Sequence, residues 1–196
     1  TYNSRTSSSM SVTLNDKLDN VVSLELTNIN IPFTFYNIDE NNGNNYFYVE
    51  KGSNLSKVTI SSGNYTNSTL ITAINSALGN AIPAISNLTF SLNATTNKVT
   101  IENTDAEAQN VIFYDHLDVS QNFHNNNTDE LSADIQAKLN NNLGWILGFR
   151  NINKTTISLE YNIATNTTIT GESLCYIPYT KYFIVILDDR NKNQTN

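Results

Sequence analysis

Apolar residues recur at every second position through Val22, Leu24 and Leu26 and again at Ile29 and Ile31, and Pro32 closes the run. Period two is the side-chain repeat of a half-buried strand, so Val22–Ile31 is expected to form one. The same short-range pattern returns along the chain at Met10–Leu14, Tyr46–Val49, Lys57–Ile60, Leu88–Leu92, Lys98–Ile101, Val111–Tyr114, Thr155–Leu159 and Ile163–Ile169. Lys181–Leu187 is apolar enough to read as a central strand. Turn chemistry separates these runs: Asp39 to Asn45, Gly52 to Leu55, and Asn93 to Asn97. Many short strands with turns between them predict an all-β, antiparallel two-sheet sandwich of jelly-roll or Greek-key type.

One helix is expected to interrupt the strands. Leu70, Ile71, Ile74, Ala77 and Leu78 share a face at helical spacing, Asn67 or Ser68 can cap the start, and Gly79 is placed to end it in a left-handed conformation. A weaker helical pattern runs over Glu130–Leu139 through Leu131, Ile135 and Leu139. Between them the two patterns allow one or two short inserted helices. Asn142–Arg150 holds the single Trp, with Gly144 and Gly148 on either side of Trp145, Ile146 and Leu147. Such a segment reads as core, with Trp145 and Phe149 buried and the glycines admitting another backbone. The predicted core residues are Trp145, Gly144, Gly148 and Phe149, joined by Leu70, Ile74 and Leu78 of the helix.

At 196 residues the chain suits one large β domain that needs no disulfide or metal staple. The expected organisation is a polar arm over residues 1–9, a single sandwich over 10–190 and a polar tail over 191–196. Charged residues make up only 15% and the formal charge is −7, with Lys and Arg scattered singly; this argues against direct binding of nucleic acid or an anionic membrane. The longest apolar run, Tyr182–Leu187, falls well short of the ~20 residues of a membrane span. No export signal is expected in the polar opening, Thr1 to Ser11.

The residues with chemical potential all have ordinary readings. His116 stands beside Asp115 and Asp118, yet neighbours on a strand point to opposite faces, and the second histidine, His124, lies in an Asn-rich stretch; a solvated histidine is favoured over a base or metal ligand. The single cysteine, Cys175, has no local Cys/His motif and reads as an inert, semi-buried residue. Asp39, Asn41 and Glu50 fit three positions of a calcium loop, but Asn44 stands where that loop needs Gly, so a plain turn is favoured. The adjacent Asp188 and Asp189 read as a solvated strand end. Sequons at Asn54, Asn64, Asn67, Asn87, Asn93, Asn126, Asn153 and Asn166 would suit a secreted glycoprotein, but chance in an Asn/Ser/Thr-rich composition is the favoured reading. No catalytic residue, cofactor or metal is expected, and the chain is not expected to be an enzyme.

Four stretches together carry a resemblance: Asn20–Leu26 running on to Ile31 and Pro32; Gly43–Phe47; Gly63, Asn64 and Tyr65 followed by Leu70, Ile74, Asn75 and Leu78; and Leu143–Arg150. With the close at Tyr179–Asp189, the chain resembles a family of virion proteins of large nucleocytoplasmic DNA viruses, over nearly its whole length. The resemblance implies a jelly-roll minor capsid or vertex (penton-like) protein of a double-stranded DNA virus, without enzymatic activity. Its implied partners are other capsid proteins, a major capsid protein or further copies of itself, and its implied place is the virion assembled in the host cytoplasm. The arm, with Thr1, Tyr2 and Arg5, is the expected partner contact. The alternative is a secreted or surface sandwich module that binds glycans through exposed tyrosines.

Overall fold

The computed structural model of the chain describes residues 35–115, 141–153 and 157–177, with isolated positions between 20 and 30. Two compact units divide the chain, Thr1–Thr34 and Phe35–Asn196, and the sheets, helices and side-chain networks described below belong to the second. The arm residues Thr1, Tyr2 and Arg5, the expected strands over 10–14 and 181–187, most of that over 22–31, the helical pattern over 130–139, His116, His124, Asp188, Asp189 and the tail lie outside the described residues.

Two antiparallel sheets make the body. A four-stranded sheet has the order β2-β1-β5-β6, from β1 (Tyr46–Lys51), β2 (Asn54–Thr59), β5 (Gln109–Asp115) and β6 (Ser158–Ile163). A three-stranded sheet has the order β3-β4-β7, from β3 (Leu88–Leu92), β4 (Val99–Asn103) and β7 (Thr167–Thr170). β1 pairs with β5 and β4 with β7, so the chain crosses between sheets instead of running as a meander. One apolar core fills the space between them. Phe47 of β1 meets Phe90 of β3 at 5.5 Å between ring centres and Phe113 of β5 at 5.8 Å. The expected all-β two-sheet sandwich is what forms.

Helix α1 (Asn67–Asn80) buries Leu70, Ile71, Ile74 and Leu78 and packs on β2 and β3, the outer strands on one side of the sandwich among the described residues. Its ends differ from the sequence reading by a definable cause. Thr66 is the N-cap, because its hydroxyl accepts from the Thr69 N–H and the Thr69 hydroxyl accepts from the Thr66 N–H in a capping box, while the Asn67 side chain donates to Asn97 and to the Cys175 carbonyl. Gly79 stays inside the helix, which ends at Ala81 in extended conformation two residues before Pro83.

The segment around Trp145 also takes a form that apolar content alone did not reveal. It is a short helix, α2 (Leu143–Leu147), capped by the Asn142 side chain and stopped by Gly148 at φ 98°. Helical spacing puts Leu143, Ile146 and Leu147 inward and turns Trp145 to the rim. Gly144, Gly148 and Phe149 are buried as expected of core residues, but Trp145 is only half-buried, its ring covered by the Arg150 guanidinium 3.9 Å away. The strand expected over Ile163–Ile169 is interrupted: β6 ends at Ile163, Asn166 turns with φ 51°, and β7 begins at Thr167.

Candidate functional site

Strand β4 is the middle strand of its sheet, and a network of side-chain amides sits at each of its ends, buried at the Asn103 end and part-buried at the Asn97 end. At the far end Asn103 is fully buried. Its Nδ2 donates to the carbonyls of Glu107 (2.9 Å) and Ile163 (3.0 Å), and its Oδ1 accepts from the Asp105 N–H (2.9 Å) and Gln109 Nε2 (3.2 Å). Asp105 Oδ2 in turn accepts from Lys51 Nζ at 2.6 Å, Asn87 Nδ2 at 3.1 Å and Gln109 Nε2 at 3.4 Å. These donors, Lys51 first and Asn87 next, hold the Asp105 carboxyl at about 2 against an ordinary 3.8. The same bond to Asp105 raises the Lys51 ammonium above its ordinary value.

A cavity of about 540 Å³ opens beside this pair, lined by Lys51, Ser53, Asn54, Ser56, Asn87, Asp105, Glu107 and Gln109 with Val49, Pro83 and Ile85. Asp105 is ionised and saturated with donors, which removes it as a proton acceptor near neutral pH. What the arrangement does is tie the β1–β2 turn, the loop before β3 and the turn before β5 to one carboxylate. Gln109 Oε1 and Asn45 Oδ1 are buried there and beside β2 without a hydrogen-bond partner.

At the near end Asn97 plays the corresponding part. Its carbonyl accepts from the Cys175 N–H at 2.8 Å, and its Nδ2 donates to the Cys175 carbonyl at 3.0 Å, which Asn67 Nδ2 also reaches at 3.1 Å. The segment 171–177 is thereby laid along α2: Ser173 N–H donates to the Gly148 carbonyl and Tyr176 N–H to that of Ile146, both at 2.8 Å. A Cβ on Gly148 would overlap the Ser173 carbonyl and stand 3.0 Å from that of Leu174, so the expected close backbone is present here. Gly144 instead faces a side chain, the Phe113 ring. Phe149 stacks on Phe113 at 5.2 Å and meets Tyr161 edge-on at 4.9 Å. The Tyr161 hydroxyl accepts from Asn151 N–H (2.9 Å) and donates to Glu172 Oε2 (2.8 Å); burial pushes its titration upward.

Cys175 is buried and its thiol is pushed up to about 11 by desolvation, so it is held protonated and unreactive near neutral pH. The three residues of the calcium register do not form one site: Asp39 caps a short 3₁₀ turn (Glu40–Asn42) by accepting from the Asn41 N–H, and Glu50 lies along β1. Among the described residues no group of three or more His, Cys, Asp and Glu is gathered, and no helix is long and apolar enough to cross a membrane. The sequon residues Asn67 and Asn87 spend their Nδ2 groups on internal bonds.

Reading the sequence for charge and nucleophiles missed the asparagines that hold the structure. Asn75 was the one with a visible signal, a polar residue inside the apolar stripe of α1. Its Oδ1 accepts from the Phe90 N–H at 2.9 Å and its Nδ2 donates to the Phe90 carbonyl at 2.8 Å, as a neighbouring strand would.

Fold and networks together define an all-β sandwich fastened at both ends of β4 by side-chain amides. Residues 3–128 match the model of a family of unknown function, DUF5901, and the chain belongs to that family. No curated protein and no solved structure matches the chain.

Proposed function

We propose that the chain is a structural component of a virus shell, a minor capsid or vertex protein that joins a major capsid protein or further copies of itself by surface complementarity. The observation that carries this reading is the outer face of the three-stranded sheet. The register aligns Phe90, Ile101 and Ile169 on the core side, so Thr89, Ser91, Thr100, Thr168 and Thr170 share the other face with Glu102 as its one charge. A hydroxyl surface with little charge packs against a neighbour at low desolvation and repulsion cost. The sequence resemblance points the same way. On this reading the arm with Thr1, Tyr2 and Arg5 reaches a neighbouring subunit, and the protein resides in the virion.

The glycan-module reading draws support from the half-exposed rings of Tyr36 and Tyr176. The two readings part in one pair of measurements. Mass spectrometry of purified particles should find the full-length chain incorporated, and a version lacking residues 1–9 should melt at the same temperature yet be recovered at lower yield. A chain absent from particles, with glycan binding that Tyr36→Ala or Tyr176→Ala abolishes, overturns the shell reading.

A further inference from the structure

Among the described residues four strands lie on the outside of the two sheets, and they are protected unequally. β3 is covered by α1, with the Asn75 amide bonded to both backbone groups of Phe90. β2 carries Lys57, whose ammonium stands over the Tyr46 ring at 4.2 Å. β6 carries Glu160, and its first residue Ser158 already exchanges bonds with the Asn153 N–H (2.8 Å) and carbonyl (3.2 Å). β7 has none of the usual guards: no Lys, no Pro, no bulge, no described strand on its far side.

The direction of its free groups follows from the ladder. Because Phe90 points its N–H and carbonyl at Asn75, its pair with Ile101 is the non-hydrogen-bonded kind, so Ile101 turns its own groups toward β7. Ile101 and Ile169 are then a hydrogen-bonded pair, and the next such pair, Val99 with Gly171, shows its bond at 2.8 Å. Thr168 and Thr170 therefore direct their N–H and C=O groups away from the sheet.

We infer that β7 pairs with β7 of a second copy of this chain, antiparallel, about a two-fold axis normal to the sheet. Such an axis keeps each face on its own side, so the register must centre on a residue and not between two. Centred on Ile169, it sets Thr168 opposite Thr170 of the second copy with both backbone bonds formed, and Ile169 opposite Ile169 on the core side. A strand without charge meets its own copy without like charges opposed. The short length makes the contact weak and dependent on concentration. It stands apart from the shell reading, since a chain that never enters a particle would still pair this way.

Sedimentation velocity over a concentration series of the full chain tests it. A dimer that dissociates on dilution is expected. The double variant Thr168→Lys, Thr170→Lys opposes like charges in the register centred on Ile169 and should raise the dissociation constant at least about tenfold with the melting temperature unchanged. A control pair, Thr95→Lys, Thr96→Lys in the β3–β4 turn, should leave it as it was. Thr168→Pro removes one outward N–H without touching the ladder to β4, and it decides the matter should the lysine pair disturb the fold. A wild-type chain that stays monomeric throughout the series, or a dimer indifferent to the variants, overturns the inference.

Discussion

The two ends of β4 solve one problem with different chemistry. At the Asn97 end, Gly148 at the close of α2 is pressed against the segment 171–177 so closely that a methyl group there would overlap the Ser173 carbonyl. At the Asn103 end there is a cavity, and its walls are drawn together by hydrogen bonds and the Lys51–Asp105 pair. The first is limited by shape and the second by hydrogen bonding and charge. A perturbation of volume should therefore fall on one end, and a change of protonation or polarity on the other.

Volume is the harsher test. Phe149→Ala removes a fully buried ring stacked between Phe113 and Tyr161 and should cost about 3–5 kcal/mol. Gly148→Ala must hold φ near 98° and push into the Ser173 carbonyl, and about 3 kcal/mol is expected. Trp145→Ala, at the rim, should cost only about 1–2 kcal/mol despite the larger side chain. Urea unfolding would order the three. A Trp145 variant as damaging as the Phe149 variant would show that the ring, not the helix beneath it, anchors this end.

Polarity comes next. Asn103→Ala strips donors from two carbonyls and an acceptor from Asp105 and Gln109, three of the four bonds in buried surroundings, and about 1–3 kcal/mol should be lost. Thr104→Ala, exposed and one residue on, should be nearly silent. Equal melts for the two variants would remove the amide network from any account of this end.

Acid and alkali give the smallest effects, at opposite extremes. Asp105 has a folded pKa of about 2 against 3.8, so its contribution is present above the ordinary value and is lost as pH falls from there through about 2. For Cys175 the folded value is raised, to about 11 from 9.0, so its contribution is present below 9 and is lost as pH rises through that window. Lys51 and Tyr161 also titrate high, so melting curves across pH need the variants: Asp105→Asn should flatten the acid limb and Cys175→Ala part of the alkaline one. An unaltered acid limb in Asp105→Asn would refute the charge account.

How much of this was visible beforehand depends on whether one residue's neighbours in sequence or in space decide its role. The strands Leu88–Leu92 and Val99–Asn103 were legible because alternation and the Asn93 turn lie within a few residues of one another. So was the inner face of α1. Trp145 misled, because a cluster of apolar residues says that something is buried and only the helical phase says which side. Asparagine was least legible. Asn93 turns a hairpin, Asn142 caps a helix, Asn103 sits fully buried and Asn75 imitates a strand, and the amide is the same in each. In a chain rich in Asn, only the tertiary neighbours separate these uses. The Lys51–Asp105 pair was hidden for the same reason, its members lying 54 positions apart.

The amide of Asn75 has one more consequence. By closing the ladder at Phe90 it gives the three-stranded sheet a terminus, and among its described strands growth by strand addition is left with β7. A sheet with one live end and one dead end joins a second copy and then stops. Pairing at β7 thus ends in a finite particle with a helix at each margin, whereas two live ends would propagate a fibre. Removing the amide alone, as in Asn75→Ala, would tell whether helix α1 suffices as the stop or whether chain termination depends on one side chain.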